Sequence, residues 1–219
     1  MEKMMNKKVV VIVPIKQNST RVKNKNFKKI NGVKLYDFFL RKLKKCHFDE
    51  IYVDTNSNEI KKYAIKNNFK VIDRLTWLSK NNANGNHLLN YHQSIIDAEY
   101  YFQLFITSPL MEIKTINECI KILKKNKKID SILTVHKIYS WFWFKNKPVN
   151  YNPKMLPRSQ DALPITQETT GLYGIRKKIL KKYQCRIGKK PFFFEVNKKE
   201  ALDLDTSEDF HNLNNFIKK

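Results

Sequence analysis

The sequence predicts an α/β layered fold with a mostly parallel sheet, and three observations carry that prediction. Strand patterns alternate with helical ones as far as Lys137. The first of them, Val9–Val13, is a continuous β-branched run, as a strand buried on both faces requires. The chain of 219 residues, 42% hydrophobic and 12% aromatic, is long and apolar enough to bury one full core.

After Val9–Val13, the span Leu35–Lys45 reads as a helix with Leu35, Phe38, Phe39 and Leu43 on one face. Glu50–Thr55 is the next strand. Asn56 followed by Glu59 gives a capping-box signal for a helix carrying Ile60, Tyr63 and Ala64. Lys70–Asp73 is a short third strand, His87–Ala98 a helix and Tyr101–Ile106 a fourth strand. Ile116, Ile120 and Leu123 mark an amphipathic helix before the strand Ser131–Val135. The rhythm then breaks. Trp141–Asp161 is aromatic, then rich in Pro and Asn, and predicts an extended arm or hairpin within residues 139–165 whose aromatics want a partner surface. Strands at Thr170–Ile175 and Phe192–Val196 follow. Thr206 and Asp209 then cap a closing helix that buries Phe210, Leu213 and Ile217. No internal repeat or low-complexity linker divides the chain, so a single domain, residues 1–219, is expected.

Composition narrows the function classes. Val9–Val13 is too short to cross a bilayer and lacks a small-residue cleavage site, so neither a membrane association nor a signal peptide is expected. Cys46, Cys119 and Cys185 are scattered and fit neither a disulfide framework nor a zinc pattern, which predicts a reducing cytoplasmic setting with Cys119 in the core. Against 20 acidic residues stand 43 basic ones, a net charge of +23. Such an excess marks some nucleic-acid-binding proteins. Here, however, lysines are spread over nearly every helix, without a long block or interleaved aromatics, so no specific nucleic-acid partner is expected. The field still attracts polyphosphates.

Three segments carry candidate chemistry. The loop after the first strand holds Lys16, Arg21, Lys23 and Lys25 beyond a strand's carboxyl end, where open sheets bind ligands. It contains no glycine, so side-chain cations rather than a backbone cradle would neutralise phosphates, although ordinary solvated lysines account for it equally well. Near the end, Asp203 and Asp205 alternate, which in extended chain places both carboxylates on one side, a hard-oxygen pair suited to magnesium held with phosphates. Capping of the last helix is the competing role for Asp205 or Asp209 and leaves Asp203 idle. Thirdly, Thr107 and Ser108 follow a strand and offer hydroxyls to a substrate, or simply make a turn.

In this order and spacing the segments resemble the acylneuraminate cytidylyltransferases and their relatives that activate deoxyoctulosonic acid. Arg21 and Lys25-Asn26 stand where the family's first loop ends in a basic residue, Lys and Asn. Asp54-Thr55-Asn56 matches the family's Ser-Thr-Asp, and Arg74 its arginine after the third strand. Phe105 to Met111 matches its Gln-Pro-Thr-Ser-Pro-Leu-Arg segment, and Asp203-Leu204-Asp205-Thr206 its Asp-x-Asp-Thr. Pro157-Arg158-Ser159-Gln160 and Glu168-Thr169-Thr170-Gly171 resemble the sugar-facing strand and loop. The resemblance implies a Rossmann-like three-layer α/β sandwich with a protruding dimerisation arm, a homodimer, and transfer of CMP from CTP to an acidic sugar.

By the same resemblance, Lys25, Arg21, Asp203 and Asp205 are the catalytic set, with Mg2+ on the two aspartates. Lys16, Gln17, Asn18, Ser19, Asn26 and Arg74 bind the nucleotide. Phe105, Thr107, Ser108, Arg158, Gln160, Glu168 and Thr170 bind the acceptor, Arg158 meeting its carboxylate. Three positions depart from the family: Lys16 replaces an arginine, Phe105 a glutamine and Met111 an arginine. The nucleotide half keeps the pattern more closely than the acceptor half. Competing readings are a glycosyltransferase using Asp-x-Asp, which the late position of that motif disfavours, transfer of another nucleotide such as GMP, and a basic nucleic-acid-binding protein on a non-catalytic scaffold.

Overall fold

The computed structural model describes residues 8–19 and 22–217. Strand β1 (Val9–Pro14) lies inside a seven-stranded sheet because its residues feed two cores alternately: Val9, Val11 and Val13 one, Val10 and Ile12 the other. A small hairpin of β2 (Lys29–Ile30) and β3 (Val33–Lys34) follows, turned by Asn31 and Gly32, both at positive φ. The chain continues through α1 (Leu35–Leu43), β4 (Glu50–Thr55), α2 (Asn58–Lys66), β5 (Lys70–Asp73), α3 (Gly85–Ile95), β6 (Tyr100–Leu104) and α4 (Ile113–Lys125). Next come β7 (Ser131–Ile138), a two-stranded hairpin of β8 (Trp143–Phe144) and β9 (Lys147–Pro148), and then β10 (Ile165–Arg176). The chain closes with α5 (Lys177–Tyr183), β11 (Pro191–Glu195) and α6 (Ser207–Ile217).

The sheet order is β11-β7-β10-β6-β1-β4-β5. Pairings β1–β4, β1–β6, β4–β5 and β7–β11 are parallel, while β10 runs antiparallel between β6 and β7. The chain winds outward from β1 to β5 and resumes on the other side of β1 at β6. That reversal opens a crevice beyond the carboxyl ends of β1, β4, β5 and β6. Leu35, Phe39, Ile60, Ile116 and Leu213 bring α1, α2, α4 and α6 onto one face, and Leu89 and Leu180 bring α3 and α5 onto the other. The mostly parallel sheet between two helical layers agrees with expectation, and Cys119 is buried in the larger core. Among the described residues no helix is long and apolar enough to cross a membrane.

Two local expectations are corrected. The cap of α2 is Ser57, whose Oγ accepts from Ile60 N at 3.5 Å, because the Asn56 carboxamide is taken up 2.8 Å from Gln17 N. Helix α5, with Leu180 as its buried residue, was not expected. Residues 139–164 leave the sheet between β7 and β10 and are pinned by buried Asn150. Its Nδ2 donates to Ser140 O (2.7 Å) and Leu163 O (2.6 Å), and its Oδ1 accepts from Phe142 N (2.9 Å). Trp141, Trp143, Phe144, Met155, Leu156 and Leu163 are exposed on this excursion.

Candidate active site

The loop after β1 is shaped by two asparagines. Asn24 adopts the left-handed conformation (φ 54°) that starts the 3-10 turn Lys25–Phe27. Asn26 is buried and donates through Nδ2 to Lys16 O at 2.6 Å, tying the turn to the beginning of its loop. Lys25 is thereby directed into the crevice, where its Nζ lies 3.0 Å from Asp205 Oδ1, a contact spanning 180 positions of sequence.

Asp205 is not the cap of α6. That role belongs to Thr206 and Asp209: the Asp209 carboxylate accepts from Thr206 N (2.6 Å) and Asp205 N (2.8 Å), and Thr206 Oγ1 accepts from Asp209 N (3.3 Å). Between the two site aspartates, Leu204 is buried in the core and its N–H donates to Thr107 O at 2.8 Å. Asp203 and Asp205 both line the cavity as a result.

Asp203 Oδ2 accepts from Thr170 Oγ1 at 2.8 Å, whereas its Oδ1 is buried without a hydrogen-bond partner among the described residues. Burial pushes the Asp203 carboxyl above the ordinary carboxylate range; Asp205 adds to the shift, and Thr107, Thr170 and Lys25 oppose it. Thr170 has φ 54°, a strained conformation for a β-branched residue. It lies where the β10–β7 register shifts between Glu168 and Tyr173, so a bulge delivers its hydroxyl to Asp203. Gly171 comes next, and a Cβ there would fall 2.4 Å from Met111 Cε, so the Met111 side chain packs closely against this backbone. Lys42 of α1 pins the loop after β6 from beneath, donating to the carbonyls of Pro109 and Met111, and burial pushes its ammonium down to about 8.

Arg74 follows β5 and is 3% exposed at its side chain. Its Nε lies 3.1 Å from both oxygens of Asp54 and its Nη2 3.0 Å from Oδ2, while His92 Nε2 of α3 approaches the same Oδ2 at 3.1 Å. Burial alone would raise the Asp54 carboxyl. The His92 hydrogen bond and the Arg74 charge outweigh it and hold Asp54 below its usual range.

The crevice is a cavity of about 410 Å³. Of the residues expected there, Lys16, Ser19, Lys25, Asn26, Arg74, Phe105, Thr107, Thr170, Asp203 and Asp205 line it. Arg21 lies outside the described residues. Gln17 and Asn18 instead line a separate groove beside the start of α2, because Gln17 N is held by Asn56. Ser108 is buried beneath the cavity, and Met111 is a core residue of the larger cluster. Arg158, Gln160 and Glu168, expected to bind the acceptor, do not line this cavity within the chain. Arg158 is 76% exposed and pairs with Asp161 at 2.6 Å inside its own turn, Gln160 is exposed on the same turn, and Glu168 accepts from Tyr173 Oη at 2.7 Å. The sequence reading missed the wall formed by Leu78, Ser79, Asn84, Gly85 and Leu88, and it missed Arg186.

Two carboxylates with one unsatisfied buried oxygen suit a magnesium ion, which is commonly bound through one or two carboxylates together with substrate phosphates. A complete cage is not required, and among the described residues no cluster of three or more potential ligands occurs. Lysines facing paired aspartates across the switch point of an α/β sheet define a nucleotide-binding class of protein.

The particular family follows from comparison: the chain belongs to the family described as Cytidylyltransferase, whose model matches residues 10–218. The 3-deoxy-manno-octulosonate cytidylyltransferase of Fusobacterium nucleatum is 22% identical, covering 97% of this chain and 98% of the relative. N-acylneuraminate cytidylyltransferase A of Danio rerio is 24% identical over 85% of this chain, which spans 45% of that relative's length. In fold, the chain is similar to a CMP:2-keto-3-deoxy-manno-octonic acid synthetase complexed with CTP (TM-score 0.72, 16% identity), with 96% of this chain and 98% of that one covered. It is similar also to a 4-diphosphocytidyl-2C-methyl-D-erythritol synthase from Anaerococcus prevotii (TM-score 0.69, 14% identity), with 97% of each chain covered.

Proposed function

We propose that this cytidylyltransferase joins CTP to an acidic, ulosonic-acid-like sugar for surface-glycan synthesis, releasing pyrophosphate. The observation that carries the reading is the Lys25–Asp205 contact facing Asp203 across the crevice. The acceptor hydroxyl oxygen forms a bond to the α-phosphorus of CTP as the bond to the bridging oxygen breaks. The hydroxyl proton passes to water, and pyrophosphate departs with the electron pair of the broken bond. Such chemistry needs positioning and charge neutralisation more than covalent help. Asp203 and Asp205 would hold magnesium, which when bound neutralises phosphate charge. Lys16 and Lys25, with Arg21, meet the triphosphate, and Asn26 holds the loop that presents them. Arg74, fixed by Asp54, forms part of the nucleotide wall.

The setting proposed is cytoplasmic, and the assembly a homodimer formed through the exposed aromatics of residues 139–164. Thermal unfolding with magnesium and CTP, UTP, GTP, ATP or tripolyphosphate tests the nucleotide half. Near 100 times its dissociation constant, CTP should add about 2.7 kcal/mol, roughly 5–10 °C for a chain this size. In Asp205→Ala, turnover should fall at least ~100-fold with the fold retained. Equal shifts with every polyanion would instead support a basic binding protein.

A further inference from the structure

Arg186 belongs to no motif and enters the cavity from the segment after α5. Its guanidinium carbon lies 3.6 Å from the centroid of the Tyr173 ring and 5.8 Å from that of Phe105. Its Nη1 donates to Gln103 Oε1 at 3.3 Å, and its backbone N–H donates to Asn86 Oδ1 at 3.0 Å. Gly85 leaves the space it occupies, since a Cβ there would fall 2.3 Å from Nη1. The side chain is therefore built into place from β6, β10 and α3. It forms no ion pair with a described carboxylate, and its Nε and Nη2 make no hydrogen bond to a described residue. A half-buried guanidinium stacked on an aromatic ring, one edge uncommitted, is shaped for a planar anion held by two parallel hydrogen bonds.

We infer that Arg186 binds the carboxylate of the acceptor and so sets the enzyme's requirement for an acidic sugar. The inference rests on the cytidylyl-transfer reading and specifies its second substrate. The triphosphate cations come from the loop after β1, whereas the neighbours of Arg186 are Gln103, Phe105 and Tyr173 on the β6–β10 side, which places it at the acceptor end. Phe105 supplies an apolar wall beside the guanidinium. Arg158, paired with Asp161 on the surface, does not serve this cavity within the same chain.

The test uses the full chain with magnesium, CTP and two acids, 3-deoxy-manno-octulosonate and N-acetylneuraminate, in wild type, Arg186→Ala and Arg186→Lys. Pyrophosphate release gives the acceptor KM, and thermal unfolding gives the CTP-induced shift. For Arg186→Ala we expect the acceptor KM to rise at least ~30-fold while the CTP-induced shift is unchanged, with Arg186→Lys intermediate. An unchanged acceptor KM overturns the assignment, as does loss of the CTP shift, which would make Arg186 a nucleotide ligand. Failure of the wild type to turn over either acid although CTP stabilises it also overturns it. A wild-type chain with no CTP-selective shift instead removes the underlying reading.

Discussion

Asp203 has one carboxylate oxygen satisfied by Thr170 and the other buried without a hydrogen-bond partner among the described residues. Burial raises its carboxyl above the ordinary carboxylate range, so just above that range the native chain binds a proton that the unfolded chain does not. Stability from this group is therefore greatest at low pH and is lost as pH rises through the folded value; at neutral pH the ionised carboxylate is a cost. Asp203→Asn should keep the Thr170 bond, remove the charge, and raise the melting temperature of the metal-free chain by roughly 2–4 °C, about 1 kcal/mol. Turnover should drop at least ~100-fold. A lower melting temperature would show that the buried oxygen is satisfied in solution. At this scale Asp203 and Asp205 were legible because acidic residues are scarce and the pair alternates in extended chain, whereas Lys25 was singled out among the loop's cations only through the family resemblance. Arg186 was not legible, because one more cation among 43 carries no signal; what distinguishes it is the ring beneath it and the missing Cβ of Gly85.

The longest strand, β10, does two jobs that its sequence conceals. It fills the gap between β6 and β7, and its bulge turns Thr170 toward Asp203. Neither its antiparallel direction nor the register shift can be read from alternation, which is the same for either direction. The strands β4 and β5, by contrast, occupy the spans Glu50–Thr55 and Lys70–Asp73 expected from the sequence. Helix α5 escaped notice because its seven residues are too few to establish a period. The excursion between β7 and β10 was legible as a break in the strand and helix rhythm, and Asn150 explains how the segment holds a shape. Phe144 and Leu163 are exposed there and make no side-chain hydrogen bond, so Phe144→Glu with Leu163→Glu should fold normally. If the arm joins two copies, sedimentation velocity should show a dimer for the wild type and a monomer for the double variant. A monomeric wild type, or an unchanged dimer in the variant, would take the arm out of assembly.

Over the whole molecule the 43 basic residues outnumber the 20 acidic ones so far that most cations have no acidic partner available. The resulting field draws in any polyphosphate, and it acts over distances that salt controls: the screening length is about 10 Å at 0.1 M ionic strength and shrinks further as salt is added. The contacts proposed to distinguish CTP from a bare polyphosphate are of another kind. They lie in the proposed nucleotide wall of the crevice, where Arg74 is buried on Asp54, and buried charges are screened much less. The two contributions should separate when salt is raised from about 50 to about 300 mM. The stabilisation by tripolyphosphate should collapse and the KM for CTP should climb several-fold, with kcat nearly constant. A CTP-selective part of the thermal shift should survive. If CTP and tripolyphosphate lose their effects in parallel, affinity comes from the net charge alone, and the crevice contributes no recognition of the nucleoside.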